Sequence, residues 1–276
     1  MSETVMTYNN TVMSFGATPK WMAVSSDPYN PLGLPPYTIR VRFEQGYTPR
    51  MGDSQTCVDP SNNIWDITKQ VSWCDLFYQI VPVKEVYGAN SHGITDMRSM
   101  FWGCDEITYL PLFDTSSVTT MNRMLLGCRH LRNVPAFDTS NVTDMQYMFT
   151  TCTALIEPPM MNTSKVTNMS YMFDQCTQLK RVPLYDTSSV TDFSEMFDEA
   201  HLLEWIPQFD LSSCIYMGRT FRRCRYVEGG ILDMYNRAVA AGIQYHSETF
   251  SECGKLTTTG RAELAQIPSD WKTAST

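Results

Sequence analysis

The chain has 276 residues, a net charge of −8 from 21 basic and 29 acidic side chains, and 43% hydrophobic residues, enough for a sizeable core. An acidic balance excludes a broad positive footprint for nucleic acid or anionic membrane. The sequence has no apolar run long enough to span a bilayer, and its start, MSETVMTYNN, lacks the basic and apolar regions of a secretory signal.

Residues 1–24 carry no period, and SSDPYNPLGLPP at 25–36 holds four prolines. We read 1–36 as an attachment segment followed by a proline-rich linker. From Tyr37 the chain alternates, with Tyr37, Ile39, Val41 and Phe43 on one side and Thr38, Arg40 and Arg42 on the other. That is a strand, and IWDIT after Asn62-Asn63 predicts a second. Residues 37–93 are assigned to an N-terminal cap containing strands and a degenerate repeat, VSWCDLF at 71–77.

The middle of the chain, 94–228, falls without gaps into six rows on a period of 24 residues, the last one cut short at 228. They begin ITDMRSMFWGC at Ile94, VTTMNRMLLGC at Val118, VTDMQYMFTTC at Val142, VTNMSYMFDQC at Val166, VTDFSEMFDEA at Val190 and CIYMGRTFRRC at Cys214. Columns repeat down the rows, such as Cys104, Cys128, Cys152, Cys176 and Cys224, with Ala200 the exception, or Pro111, Pro135, Pro159, Pro183 and Pro207. A single repeat cannot bury its own apolar set, whereas stacked copies can. The spacing M-x-x-M-F suits one face of a two-turn helix, with Thr95, Thr119, Thr143, Thr167 and Thr191 as N-caps. The following segment, such as LKRVPLY at 179–185, reads as a short strand, and D-T-S as a polar turn. The predicted fold is therefore an α/β repeat solenoid, leucine-rich-repeat-like, with a short helix and a short strand per coil. Six rows at a strand spacing of about 4.8 Å give a rod roughly 29 Å long. LDMYNRAVAAG at 232–242 predicts a helix closed by Gly242, and TGRAELAQIPSDW a last short one. Together they make 229–276 a helical C-terminal cap, with ETFSECG at 248–254 echoing the M-F-x-x-C motif.

VTDMQYMFTTCTALIEPPMMNTS and its neighbours resemble the BspA-like leucine-rich-repeat surface proteins, over about half the chain. YTIRVRFEQGYTP at 37–49 and TTTGRAELAQIPSDW at 257–271 are similar to caps of such proteins in gut bacteria and their phages. The resemblance implies adhesion and host-protein binding, and in phages a tail or virion-surface role. It implies a virion or extracellular location, with a cytoplasmic one left open. The absence of a visible signal or anchor favours the phage version.

The nine cysteines are odd in number and form no CxxC pair, so neither a disulfide framework nor a zinc ribbon is indicated. Most stand in one column as small buried free thiols, and the methionine columns are core filler. The column Asp114, Asp138, Asn162, Asp186, Asp210 bonds turn amides; calcium is the alternative, against which stands the lack of glycine-rich turns. No metal or cofactor is expected. Nor is an enzyme: no nucleophile elbow, phosphate loop or zincin motif is present, and His92, His130, His201 and His246 share no column.

Function is sought in the columns that change from row to row. Tyr109, Asn133, Glu157, Arg181 and Trp205 form one, and Thr108, Arg132, Ile156, Lys180 and Glu204 another. A third is Leu112, Ala136, Met160, Leu184 and Gln208, beside a steadily apolar column of Phe113, Phe137, Met161, Tyr185 and Phe209. The candidate binding residues are Tyr109, Arg132, Asn133, Glu157, Lys180, Arg181, Glu204 and Trp205, on a sheet face. Arg219, Arg222, Arg223 and Arg225 form a basic edge, read either as solvated or as a dock for an anionic partner. The expected function is a surface-displayed adhesion module for a host-cell protein or glycan. The alternative is a purely structural virion component that contacts only other virion proteins.

Overall fold

A computed structural model describes residues 4–8, 11–15, 27–43, 54–69, 72–80 and 83–274. Parts of the expected attachment segment (1–3, 9–10 and 16–24), the start of the linker (25–26), the end of the YTIRVRFEQGYTP motif and Val71 lie outside the described residues. Strands β1 (Thr4–Tyr8) and β2 (Thr11–Phe15) pair antiparallel. A four-stranded antiparallel sheet follows, in the order β4-β5-β3-β6. Its strands are β3 (Thr38–Phe43), β4 (Ser54–Asp59), β5 (Ile64–Thr68) and β6 (Val83–Ala89). Ile39, Val41 and Phe43 are buried, as the alternation in β3 requires. Arg40 points the other way yet is also buried, because Asp66 stands directly opposite on β5 and takes its guanidinium at 2.7 and 2.9 Å.

Residues 27–36 do not behave as a free linker. Leu34 is buried, its carbonyl accepts from Asn30 and Asn90, and Leu32 packs where Gly88 has no side chain. The segment is a strap lying on the end of the sheet.

The expected leucine-rich-repeat-like α/β solenoid, with a helix and a strand in every coil, is not what the chain builds. Most of it is irregular, with the small sheet above and two short helices, α1 (Ile231–Ala240) and α2 (Thr258–Leu264), plus a 3-10 turn at Ser269–Trp271. The segment M-x-x-M-F is a chain of tight turns. In the repeat beginning at Val142, Met148, Thr150 and Cys152 donate their amides to the carbonyls three residues back, Met145, Tyr147 and Phe149. The intervening amides, of Met145, Tyr147, Phe149 and Thr151, point outward to the carbonyls of Asn168, Ser170, Met172 and Asp174 one repeat on, at 2.8–3.2 Å. A helix would turn every amide back onto its own segment; here every second one is spent on the neighbour. The geometry needs a left-handed residue at alternate turns, and Tyr147 (φ 59°) and Thr151 (φ 57°) supply it. The same two positions are left-handed in each repeat, as at Gly127 (φ 79°), Tyr171 (φ 59°), Gln175 (φ 55°), Glu195 (φ 55°) and Glu199 (φ 57°).

The threonines expected as N-caps have another role. Thr119, Thr143, Thr167 and Thr191 donate both amide and hydroxyl to the threonine carbonyl of the preceding repeat. The local bond at the head of the turns comes one residue later, where Asp144, Asn168 and Asp192 accept the amide two positions on. The expected strand at 179–185 is absent for a different reason. A proline recurs there in each of the first five repeats, and proline has no amide to donate to a ladder. What remains is one or two backbone bonds per contact, such as Lys180 to the Ile156 carbonyl, or Glu228 to Glu204 together with Ile206 to Gly229.

Between these edges lies one continuous core. Met145, Met148, Phe149, Cys152 and Leu155 and their equivalents are fully buried. The Phe rings stack from repeat to repeat, Phe149 on Phe173 at 5.4 Å, Phe173 on Phe197 at 5.5 Å and Phe197 on Phe221 at 5.6 Å. The stack continues at both ends. Phe77 lies on Phe101 at one end and Phe250 on Phe221 at the other, so the partial motifs at 72–77 and 248–254 join the column. Beyond Phe250, the carbonyls of Trp271 and Thr273 accept the amides of Phe250 and Glu248, taking the place of a further repeat.

Candidate functional site

One edge of the column carries the residues expected to bind. Each lies between a buried Ile or Leu and the buried column of Phe113 to Phe209, so the core fixes its backbone while its side chain faces out. Tyr109 is 47% exposed, Ile156 49%, Met160 61%, Leu184 66% and Trp205 56%. Arg132, Asn133, Glu157, Lys180 and Arg181 are also exposed, and Glu204 is half-buried. The backbone bonds Lys180 to Ile156, Glu204 to Lys180 and Glu228 to Glu204 align the last four repeats along this edge. At Arg132 the alignment changes, because Ala154 donates to Arg129 instead.

Trp205 is the best-defined element. Its six-membered ring lies over Gly229, where a Cβ would stand 2.6 Å from the indole. Glycine at that position lets the ring lie against the backbone of the next repeat. Around it, Glu204 takes Arg181 at 2.8 Å and Lys180 at 3.9 Å, and Gln208 accepts from Arg237 at 2.6 Å. The result is a strip of exposed apolar side chains flanked by the paired charges of Lys180, Arg181 and Glu204. Phe113, Phe137, Met161, Tyr185 and Phe209 are buried beneath it, as their steady column implies.

The four arginines of the basic edge are each ion-paired. Arg222 binds Asp198 and Arg223 binds Glu199, both with short contacts, Arg225 binds Glu252 at 2.8 Å, and Arg219 lies between Glu248 at 2.6 Å and Glu195 at 3.3 Å. The carboxylates come mainly from the positions 24 residues away. This edge is charge-balanced rather than a bare cationic patch.

A second variable column was not among the candidates. It runs along the turn edge through Arg123, Tyr147, Tyr171, Glu195 and Arg219. Arg123 lies 4.6 Å from the Tyr147 ring centre, Tyr147 stacks on Tyr171 at 4.4 Å, and the Tyr171 hydroxyl donates to Glu195 at 3.0 Å. The signal was available, since this column also varies, with only Tyr147 and Tyr171 alike between neighbouring rows. Its members are partners of one another and are at most partly exposed.

The polar positions of the repeat are structural. Cys104, Cys128, Cys152, Cys176 and Cys224 are buried free thiols that donate to the carbonyl at position 27 residues back, at 3.0–3.3 Å. Burial pushes the Cys152 thiol up to about 12. In the D-T-S turns, hydrogen bonds from Ser140 and Ser188 hold Asp138 and Asp186 below the usual carboxylate range. Among the described residues no cluster of His, Cys, Asp and Glu is arranged to hold a metal ion. The exception to these satisfied carboxylates is Asp174. Burial first, and the neighbouring Asp198 second, push it up to about 7.

A family model described as "Mycoplasma protein of unknown function, DUF285" matches residues 72–180 and 156–259. Together these matches cover more than half of the 276 residues, and the chain belongs to that family. No curated protein and no solved structure matches the chain.

Proposed function

For this member of the DUF285 family, we propose a binding module, displayed on a virion or cell surface, that engages a host-cell protein or glycan through the strip bearing Trp205. The observation that carries this is the coincidence of variability and exposure. The columns that change from repeat to repeat are those whose large apolar side chains face solvent: Tyr109, Ile156, Met160, Leu184 and Trp205. Exposed apolar strips with a polar rim mark interaction sites, and Trp and Arg are the side chains that most often anchor them. The resemblance to BspA-like surface proteins supports adhesion as the purpose.

The test is binding of the purified chain to arrayed glycans and to host-cell surfaces, in competition with unlabelled protein. Trp205→Ala and Arg181→Ala should each weaken binding at least about tenfold, since an anchoring side chain is worth about 2 kcal/mol or more. Ser188→Ala, on the opposite turns, should leave it unchanged. Equal binding by wild type and Trp205→Ala would remove the strip from consideration. A second reading, a structural virion component without an external ligand, is favoured by the internal pairing of Lys180 and Arg181 with Glu204. It predicts no saturable binding to any cell or glycan.

A further inference from the structure

His92 stands between two carboxylates from different parts of the chain. Its Nε2 lies 2.6 Å from Asp27 Oδ2 on the strap, and its Nδ1 makes a short contact with Asp114 Oδ2 on the first D-T-S turn. Ionised carboxylates only accept hydrogen bonds, and a neutral imidazole has one N–H to give. Both contacts can be donated together only by the imidazolium. When the ring is neutral, one carboxylate faces a nitrogen lone pair. We propose that His92 is a pH-operated latch, holding the Asp27 end of the strap to the first repeat as an imidazolium and releasing it on deprotonation.

The surroundings support a local latch. The groups facing His92 are Asp27 and the Tyr29 ring edge from the strap, Tyr37 beside Gly93, and Asp114 from the first repeat. Asp138, one repeat on, adds negative charge next to Asp114. His92's own turn, Ser91 to Ile94, brings no charge. The far end of the strap is held by neutral contacts, Leu34 with Asn30 and Asn90, which do not titrate. Opening therefore concerns Asp27 to Tyr29 and the Asn30 amide that bonds Asp27, and spares the Asn30 side chain and residues 32–36.

The direction follows from each group. The hydrogen bond to Asp27 raises the His92 ring above its ordinary 6.5, with burial opposing and Asp114 assisting. The latch is thus complete below 6.5 and is lost as pH rises through the raised value. At the acid end, the His92 bond holds Asp27 below 3.8. Asp114 is also held below 3.8, where burial pulls upward but the Ser116 and His92 bonds prevail. These carboxylates let go only as pH falls through their lowered values.

The His92 ring should be titrated by NMR in the full chain, alongside amide-exchange protection factors for Tyr29, Asn30, Gly33 and Leu34, whose amides are hydrogen-bonded. The expected midpoint lies above 6.5. Asp27→Asn and Asp114→Asn should each move it down, and both keep the size of the side chain. Protection at the Tyr29 and Asn30 amides, which bond Asp27, should fall about tenfold across the midpoint, the size of one lost charge-assisted bond, with Gly33 and Leu34 unaffected. In His92→Gln that step should vanish. A midpoint at or below 6.5, or protection at Tyr29 and Asn30 that does not change across it, overturns the latch, and the carboxamide variants decide the matter if His92→Gln does not fold.

Discussion

Gly127 separates a turn from a helix by the sign of one substitution. It occupies the second left-handed position of its repeat, with φ 79°. A Cβ built there meets Gly103 at 3.5 Å and the Thr151 hydroxyl at 3.8 Å, ordinary contacts, so Gly127→Ala introduces no clash. Only the backbone decides the outcome. Placing an L side chain in the left-handed region costs about 1–2 kcal/mol. The smaller entropy of the unfolded alanine chain offsets about 0.4–1 kcal/mol of that. The net expectation is destabilisation by about 1 kcal/mol, or a midpoint lower by roughly 2 °C for a chain of this size. In a helix the same change would stabilise by about 0.8–1 kcal/mol. Gln175→Gly is the reverse experiment, at the equivalent position two repeats on, where Gln175 is exposed with φ 55°. It should be neutral or mildly stabilising in a turn and costly in a helix. Calorimetry and urea unfolding of both variants, with the slope monitored because repeat arrays can depart from two-state behaviour, would read the pair. A higher midpoint for Gly127→Ala together with a lower one for Gln175→Gly would refute the turn geometry.

Two further outcomes are expected. Asp174, raised to about 7 against an ordinary 3.8, holds its proton more tightly folded than unfolded, so its contribution falls as pH rises from about 4 to 7. Asp174→Asn should therefore stabilise at pH 8 by about 1–2 kcal/mol once solvent screening is allowed for, and by much less at pH 4, in parallel urea titrations; an equal gain at both pH values would contradict the assignment. Thiol labelling of the native chain at pH 8 should spare Cys104, Cys128, Cys152, Cys176, Cys224 and Cys253, all buried, and reach at most Cys57, Cys74 and Cys214. Rapid modification of Cys152 in mass spectrometry would show that the column opens.

The repeat period and the buried columns were legible because they depend on side-chain chemistry alone. The backbone conformation was not, because M-x-x-M-F places the same residues inward in a helix and in successive three-residue turns. Met145, Met148, Phe149 and Cys152 are buried in either case. The distinguishing signs were weaker: Gly103 and Gly127 in one column, and Asp or Asn two residues before a donor amide. The recurring proline is the sign in the sequence that argues against a strand at 179–185. The ion pairs of the arginine edge are legible once the rows are written in register, which puts Glu195, Asp198 and Glu199 directly beside Arg219, Arg222 and Arg223. His92 was set aside as lacking a column; its partners Asp27 and Asp114 are 65 and 22 positions away, and no periodic comparison joins them.

The outward amides of the turns all point the same way, from each repeat toward the next in the chain. Along that edge the peptide dipoles are aligned, so the column has a direction, and its two ends are chemically unlike. One end presents oxygens, and the Lys69 ammonium meets the Cys74 carbonyl there at 2.9 Å. The other presents N–H groups, and Trp271 and Thr273 meet them with carbonyls. An end built for one pole cannot serve the other. The array can therefore lengthen in evolution by whole repeats inserted between its two terminators, but it cannot be inverted or terminated at random.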